Sequence, residues 1–556
     1  MLMPWCTLHI SLLLLGVFAA EDNCTATEVS LMQRREVHKA GSLGTLTLGT
    51  TNESLRAEHE SILNDALQAH RGCSQNKSCS FLPEHSPMFP KPAKIPVISY
   101  ADATKTQAAW QAPMKKTYDN GVRSPALGWN SWNQFNLDVN ETKVLNVARA
   151  MKSSGLLESG FEYIVIDDGW GSPERDQDGR MQADPEKFPN GIKWLAEQLH
   201  GLGFKFGIYT SVGEKTCGGG QPGIMGHIQI DAATFASWDV DYVKVDRCGW
   251  PGELFFAPGL DVGDLPEFAR IVAGVDYPVN GQYPKSFYQV SGRVEGYQNF
   301  SAALNSSGRT MYLEICDWGE DDTLAFAPQI ANSFRVLWDN FPQWHRVEEI
   351  YEYYAQVLAI PASTRPGAYA YADMLEGGVD GFLYNRDIFP ASNLTRREAA
   401  TEHAMWSMWS SPLILGYDVA KPSKAWVTEL MRNQALLKIN QDPLGIAARL
   451  AVRKQKNFCP ISDCYHTDVW VKPLAEGAVA VALVNVAGAY NQHNIFYTTE
   501  SISVAWETLW LRPETNVSVY SATEQKDLGI MSGSVSMDVE PHGVIVLVLT
   551  PQTTTV

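Results

Sequence analysis

The chain has 556 residues, 45% hydrophobic and 11% aromatic, with 17 tryptophans and a formal net charge of −18. That length leaves room for two or more domains with cores of their own. The acidic balance excludes nucleic acid and anionic membrane surfaces as natural partners and suits an acidic compartment, where carboxylates begin to neutralise.

In chain order, residues 1–20 carry an apolar run at 10–17 and end in Phe18-Ala19-Ala20, which reads as a secretory signal peptide, although its leading residues lack Lys and Arg. No later run is long and apolar enough to span a bilayer. The expected location is therefore the medium or a lysosome-like vacuole. Eight Asn-x-Ser/Thr sequons, at Asn23, Asn52, Asn76, Asn140, Asn299, Asn305, Asn393 and Asn516, fit a secreted glycoprotein. Removing the signal takes Cys6 and leaves eight cysteines, an even number for an oxidising compartment. Cys459 and Cys464 are close enough to staple a hairpin. Cys73 and Cys79 can close a small loop, with Cys24 competing for either. Cys217 and Cys248 both follow strands and can meet at one end of a barrel. No Cys/His cluster has zinc-like spacing, so neither metal nor cofactor is expected.

Residues 21–120 form an unassigned N-terminal extension. Leu55, Ile62, Leu63 and Leu67 share a helical stripe, and residues 83–96 hold five prolines and read as an extended linker. From 121 to 436 the pattern changes to strand–helix alternation. Strands are expected at 126–132, 163–166, 205–209, 242–246, 310–315, 334–338 and 412–415, with an eighth near 369–374; helices are expected at 144–153, 191–202, 232–238 and 396–410. The class this implies is α/β, a (β/α)8 TIM barrel, whose chemistry sits at the C-terminal ends of the strands.

Those ends are where reactive residues fall: Asn130-Ser131-Trp132, Asp167-Asp168-Gly169-Trp170, Tyr209-Thr210 leading to Cys217, Lys244-Val245-Asp246, Cys316-Asp317-Trp318-Gly319, then Arg335 and Asp339. In the fourth strand, period-two alternation puts Tyr242, Lys244 and Asp246 on one face. A neighbouring lysine keeps Asp246 ionised and fit to act as a nucleophile. Carboxylates and aromatic rings gathered without metal ligands or phosphate-binding glycines point to glycoside hydrolysis. The connection at 251–309 is long enough to roof such a pocket. From 437 to 556 the pattern is all-β, with strands expected at 469–472, 478–486, 502–506, 517–520 and 544–550. This reads as a C-terminal antiparallel β-sandwich packed on the barrel.

Taken together, Leu127-Gly128-Trp129-Asn130-Ser131-Trp132, Ile166-Asp167-Asp168-Gly169-Trp170, Gly213-Glu214-Lys215-Thr216-Cys217, Tyr242 through Cys248, Cys316-Asp317-Trp318-Gly319, Arg335 with Asp339, Asp373-Met374-Leu375, Ser411 through Leu415 and Asn440 through Gly445 resemble the α-galactosidase family, glycoside hydrolase family 27. The resemblance runs over about residues 121–550. It implies a retaining exo-glycosidase releasing terminal α-linked galactose from an oligosaccharide or glycoconjugate, with Asp246 as nucleophile and Asp339 as acid/base. By the same resemblance Trp132, Asp167, Asp168, Tyr209, Cys217, Lys244, Asp317, Trp318, Arg335, Asp373 and Met374 hold the sugar, and Cys217–Cys248 is a disulfide at the pocket rim. A double displacement needs carboxyl groups about 5–5.5 Å apart, and the acid must start protonated.

The chain departs from the family in three places. Asp317 stands where Glu is usual, near the sugar's C2 substituent. A family disulfide between the loops after the first two strands is missing at both ends, with Leu137 and Gly169 in its places. Asn340-Phe341-Pro342 replaces the usual sequence after the acid/base. The alternatives are an α-N-acetylgalactosaminidase, against which the carboxylate of Asp317 speaks, and a secreted galactose-binding protein without turnover. A homodimer is left open.

Overall fold

The computed structural model describes residues 118–218, 220–251, 292–357, 359–379, 394–455, 466–486, 498–509 and 511–552. The signal segment, residues 21–117, most of the long connection, Cys24, Cys73, Cys79, Cys459 and Cys464 lie outside them.

Eight parallel strands follow one another round a closed sheet: β1 (Leu127–Asn130), β2 (Tyr163–Ile166), β3 (Lys205–Ser211), β4 (Tyr242–Asp246), β5 (Tyr312–Cys316), β6 (Ser333–Arg335), β7 (Tyr369–Tyr371) and β8 (Leu413–Leu415). β8 pairs with β1. Closure on the other side comes just beyond β7, where the Leu375 amide donates to the Ile414 carbonyl at 2.8 Å and Gly416 to the Leu375 carbonyl at 3.1 Å. The alternation read from sequence thus gives the expected barrel.

β2 and β4 have the expected bounds, because each is a short buried run bounded by polar or glycine residues. The strand expected at 334–338 is instead Ser333–Arg335. Its backbone leaves the ladder in a bend at Leu337 and Trp338, so Asp339 hangs on a loop. The helices not expected from sequence include Arg293–Ser306, Thr323–Ile330, Trp344–Gln356 and Ala359–Ser363. In Trp344–Gln356 almost every position is buried, and Thr323–Ile330 contains Pro328. Inside the barrel, Tyr163, Tyr242, Tyr312, Tyr371, Met374 and Ile414 pack as one cluster beneath the reactive end. The Tyr242 and Tyr312 rings stack at 4.7 Å.

The all-β part starts later than expected. Helix Gln434–Asn440 lies across the boundary drawn at 436/437, and the first strand of this part is β9 (Arg449–Gln455). β10 (His466–Pro473), β11 (Val479–Val486), β13 (Val517–Ser521), β14 (Lys526–Met531) and β16 (Gly543–Pro551) join it in a six-stranded antiparallel sheet. β12 (Glu500–Ala505) and β15 (Ser534–Val539) form a second sheet. Both sheets bury their apolar faces in one core that includes Val481, Leu483, Val504, Trp506, Val535 and Leu547. This is the sandwich expected from sequence.

Barrel and sandwich meet over buried charge. Arg453 pairs with Glu352 and Asp468, each at 2.7 Å, and His466 lies 2.7 Å from Glu352 and 3.1 Å from Asp468. Tyr351 donates to Asp468 and accepts from the Trp470 indole. Although burial opposes it, Asp468 and Glu352 raise His466 to about 10; Arg453 and His466 bring Glu352 down to about 2. Among the described residues no helix is long and apolar enough to cross a membrane.

Candidate active site

The reactive end of the barrel is assembled from the strand ends that the sequence marked. Register places Ser211 beside Asp246 and Asp246 beside Cys316, with Lys244 between Tyr209 and Glu314 one pleat lower. The Tyr209 hydroxyl donates to Asp246 Oδ2 at 3.0 Å, and the Arg247 amide donates to Oδ1 at 2.8 Å. Burial raises the Asp246 carboxyl; Lys244 pulls it back and the charge of Asp339 pushes it further up. The two carboxylates therefore feel one another. Cys316 sits at the end of β5, between the strands that carry them. Its buried free thiol is pushed up by burial first and by both acids besides.

Lys244 favours the charged form of Asp246, as the shared strand face implies, but its short contact is with another acid. The Lys244 ammonium makes its ion pair with Asp167, at 2.8 Å. Asp167 also accepts from Asn130 Nδ2 at 2.7 Å and from the Asp168 amide at 2.8 Å. Asp167 follows β2, two strands away across β3, and the long lysine side chain spans that distance inside the barrel. Asp168 accepts from the Gly169 amide at 2.8 Å and the Gly218 amide at 2.6 Å. Burial raises it to about 6 against these donors.

Gly218 follows the Cys217–Cys248 disulfide, which joins the loops after β3 and β4. A Cβ on Gly218 would sit 3.0 Å from each of Asp168, Trp132 and Leu137, so a bare backbone is what lets these groups converge. Across this rim, Gly169 faces Leu137: a Cβ there would lie 2.8 Å from the Leu137 Cα. The two positions that lack the family disulfide are thus neighbours. Lys187 ties them, donating to the carbonyls of Leu137 and Gly169 at 2.8 Å each. Nothing in the local pattern around Lys187 marks this tie.

Asp339 is held from three sides. Arg335, itself buried, reaches its Oδ1 at 3.0 Å and Asp373 at 3.0 Å. Arg346 Nε donates to the Asp339 carbonyl at 2.6 Å. The amide of Asn340 donates to Asp373 Oδ2 at 2.7 Å. Asp373 has a left-handed backbone, φ +78°, a strained conformation of the kind that clusters at functional sites. Met374, next to it, belongs to the aromatic cluster below.

Asp317 is tied to side chains behind the strand end. It is fully buried, 3.4 Å from Arg293 Nε, and accepts from the Thr323 hydroxyl at 2.8 Å. Burial and the nearby Asp321 and Glu320 raise it to about 8 in spite of Arg293. Arg293 lies on a helix the sequence did not reveal. Trp318 (φ +52°) carries the Arg247 guanidinium 4.7 Å above its ring, and Arg247 pairs with Glu320 at 3.2 Å. Trp170, in the family motif, is packing: it is buried, donates to the Tyr209 carbonyl at 2.9 Å and meets Trp238 edge-on.

A family profile described as "Alpha galactosidase A" matches residues 124–260 and 267–442, and one described as "Alpha galactosidase C-terminal beta sandwich domain" matches 465–549. The chain is 32% identical over 448 residues to "Alpha-galactosidase 2" of Arabidopsis thaliana, spanning 80% of this chain and 95% of that one. Its fold is similar to the crystal structure of α-galactosidase I from Mortierella vinacea, with a TM-score of 0.62 at 27% identity over 78% of this chain and 98% of the other. It is likewise similar to the Saccharomyces cerevisiae α-galactosidase solved with raffinose, with a TM-score of 0.62 at 26% identity over 77% of this chain and 98% of that one.

Proposed function

This chain belongs to the α-galactosidase family of glycosidases, and from that premise we propose that it removes terminal α-linked galactose with retention of configuration, using Asp246 as nucleophile and Asp339 as acid/base. The observation that carries the assignment is the placing of two carboxylates at the same end of the barrel, Asp246 at the end of β4 accepting from Tyr209 and Asp339 on the loop after β6 paired with Arg335, close enough for the charge of Asp339 to raise Asp246.

Asp246 attacks the anomeric carbon while Asp339 gives a proton to the departing oxygen; the C–O bond to the leaving group breaks and a galactosyl ester on Asp246 forms. Asp339, now a carboxylate, takes a proton from water, which attacks the same carbon and releases Asp246. Tyr209 orients the nucleophile by its hydrogen bond. Lys244, Asp167 and Asp168 form the wall that reads adjacent hydroxyls: Lys244 fixes Asp167, and the Gly218 amide fixes Asp168. Sugars unable to pair with those buried carboxylates are rejected because binding them would leave the groups unsatisfied. Trp132 sits at the rim over Gly218, and Trp318 with Arg247 lines the side next to Asp246. The yeast relative solved with raffinose makes raffinose-type oligosaccharides the first natural substrates to try.

The test is hydrolysis of melibiose with the anomer of released galactose followed by NMR, run beside nitrophenyl α-galactoside and α-N-acetylgalactosaminide. Release of α-galactose, with the acetamido substrate slower, is expected. Initial release of the β-anomer contradicts retention, turnover of only the acetamido sugar gives the alternative specificity, and no turnover of any leaves a binding protein.

A further inference from the structure

Behind the loop that carries Asp339 lies a second set of buried polar groups that the scheme above does not use. Asn340 spends its whole side-chain amide on the protein. Its Nδ2 donates to the Met374 carbonyl at 2.9 Å and to Glu402 Oε1 at 2.8 Å, and its Oδ1 accepts from the Phe341 amide at 3.0 Å. Glu402 sits on helix Arg396–Met408 and is fully buried. The Glu376 amide donates to both Glu402 oxygens at 3.0 Å. The Glu376 side chain in turn accepts from Asn133, just past β1. One continuous set of hydrogen bonds therefore runs from the end of β1, past the residues after β7, to the peptide that follows Asp339.

A buried carboxylate is costly, and a leucine in its place on that helix would pack at no such cost. Burial pushes Glu402 up to about 8 even with these donors in place, and Glu376 beside it is raised as well. Asn340 converts that cost into position. Its amide nitrogen is fixed by Asp373, its side chain by Glu402 and Met374, and the preceding carbonyl by Arg346. The peptide bond that follows Asp339 is therefore held at both its carbonyl and its N–H, on a loop where no strand ladder holds it.

We infer that Asn340 and Glu402 are positioning residues for proton transfer, a brace that sets where the Asp339 carboxyl stands relative to the leaving oxygen. This rests on Asp339 being the acid. Asp339 serves both steps, but kcat/KM reads such a brace only in the first, the departure of the leaving group. Protonation matters when the leaving group is a sugar alcohol and little when it is a nitrophenolate. Displacing the acid by a fraction of an ångström should therefore cost one substrate and spare the other.

The experiment compares kcat/KM for melibiose and for nitrophenyl α-galactoside in the full-length protein. Asn340→Ala should lower the melibiose value by about 10–100-fold while the nitrophenyl value stays within about threefold and galactose inhibits as in wild type. Glu402→Leu should reproduce the pattern, and Glu402→Gln, which keeps an oxygen for Asn340, should restore most of the melibiose rate. Equal losses on both substrates, or no loss on either, overturn the brace; so does failure of Glu402→Gln to rescue. Should Glu402→Leu not fold, Asn340→Ala and the smaller change Asn340→Ser decide it. A wild-type protein inactive on both substrates would instead sink the assigned reaction.

Discussion

Two clusters of buried charge can be set side by side, one at the mouth of the barrel and one at the seam with the sandwich. At the seam, Arg453 and a protonated His466 face Glu352 and Asp468, two cations against two anions. The carboxyls there are pulled below their ordinary range and the imidazole is lifted above its own, even against burial. At the mouth, Asp167, Asp168, Asp246, Asp339 and Asp373 share Lys244 and Arg335. Burial wins there, and Asp168, Asp246 and Asp373 are raised. The seam satisfies itself. The mouth holds more acid than its own cations balance, which is what a site keeps when its remaining partners arrive with the substrate.

The contrast predicts a double dissociation. Asp246→Asn should cut turnover by at least about 10⁴-fold, as loss of a nucleophile does, yet raise the thermal midpoint at pH 7. The sign follows from linkage: a carboxyl whose folded pKa is raised costs stability once it is ionised, and Asn has no charge to bury. A midpoint that falls would mean Asp246 is satisfied in the way the seam acids are. Arg453→Met should do the reverse, costing about 3–5 kcal/mol in urea unfolding by stranding Glu352 and Asp468, while kcat/KM per folded molecule holds within about twofold. A loss of activity without loss of stability would tie the seam to the pocket.

The smallest effect concerns pH. His466 has a raised folded pKa, so its contribution is fully present below about 6.5 and fades as the pH climbs through about 10. Wild type should lose stability relative to His466→Gln across that window. Lys472, buried on three oxygens with its folded pKa lowered to about 7, has the opposite trend, but it is present in both proteins and cancels in the difference. A constant difference between the two curves would show that the imidazole is uncharged in the fold.

The barrel and the strand-end chemistry were legible because both rest on local pattern. Tyr242-Val243-Lys244-Val245-Asp246 alternates, and the strand has those bounds. What depended on distant partners was not legible. Lys244 pairs with Asp167 at the end of β2, two strands away, rather than with Asp246 on its own strand, and Asp317 meets Arg293 from a helix with no amphipathic stripe. β14 was missed because most of it faces solvent, so its sequence carries no alternation. Glu402 did leave a trace, a lone acid between Ala399 and Trp406 on a helix otherwise buried on that side, but nothing in the chain said that Asn340 would meet it.

The lysine that spans Leu137 and Gly169 gives the pocket an uneven dependence on its surroundings. The side held by Lys187 is closed by hydrogen bonds that no reductant can open. The adjoining side is closed by Cys217–Cys248, two residues from Asp246 and one from the amide that steadies Asp168. An added thiol should therefore loosen the flank of Asp246 while the Lys187 hydrogen bonds hold, so redox conditions act on only one of the two ties of this rim.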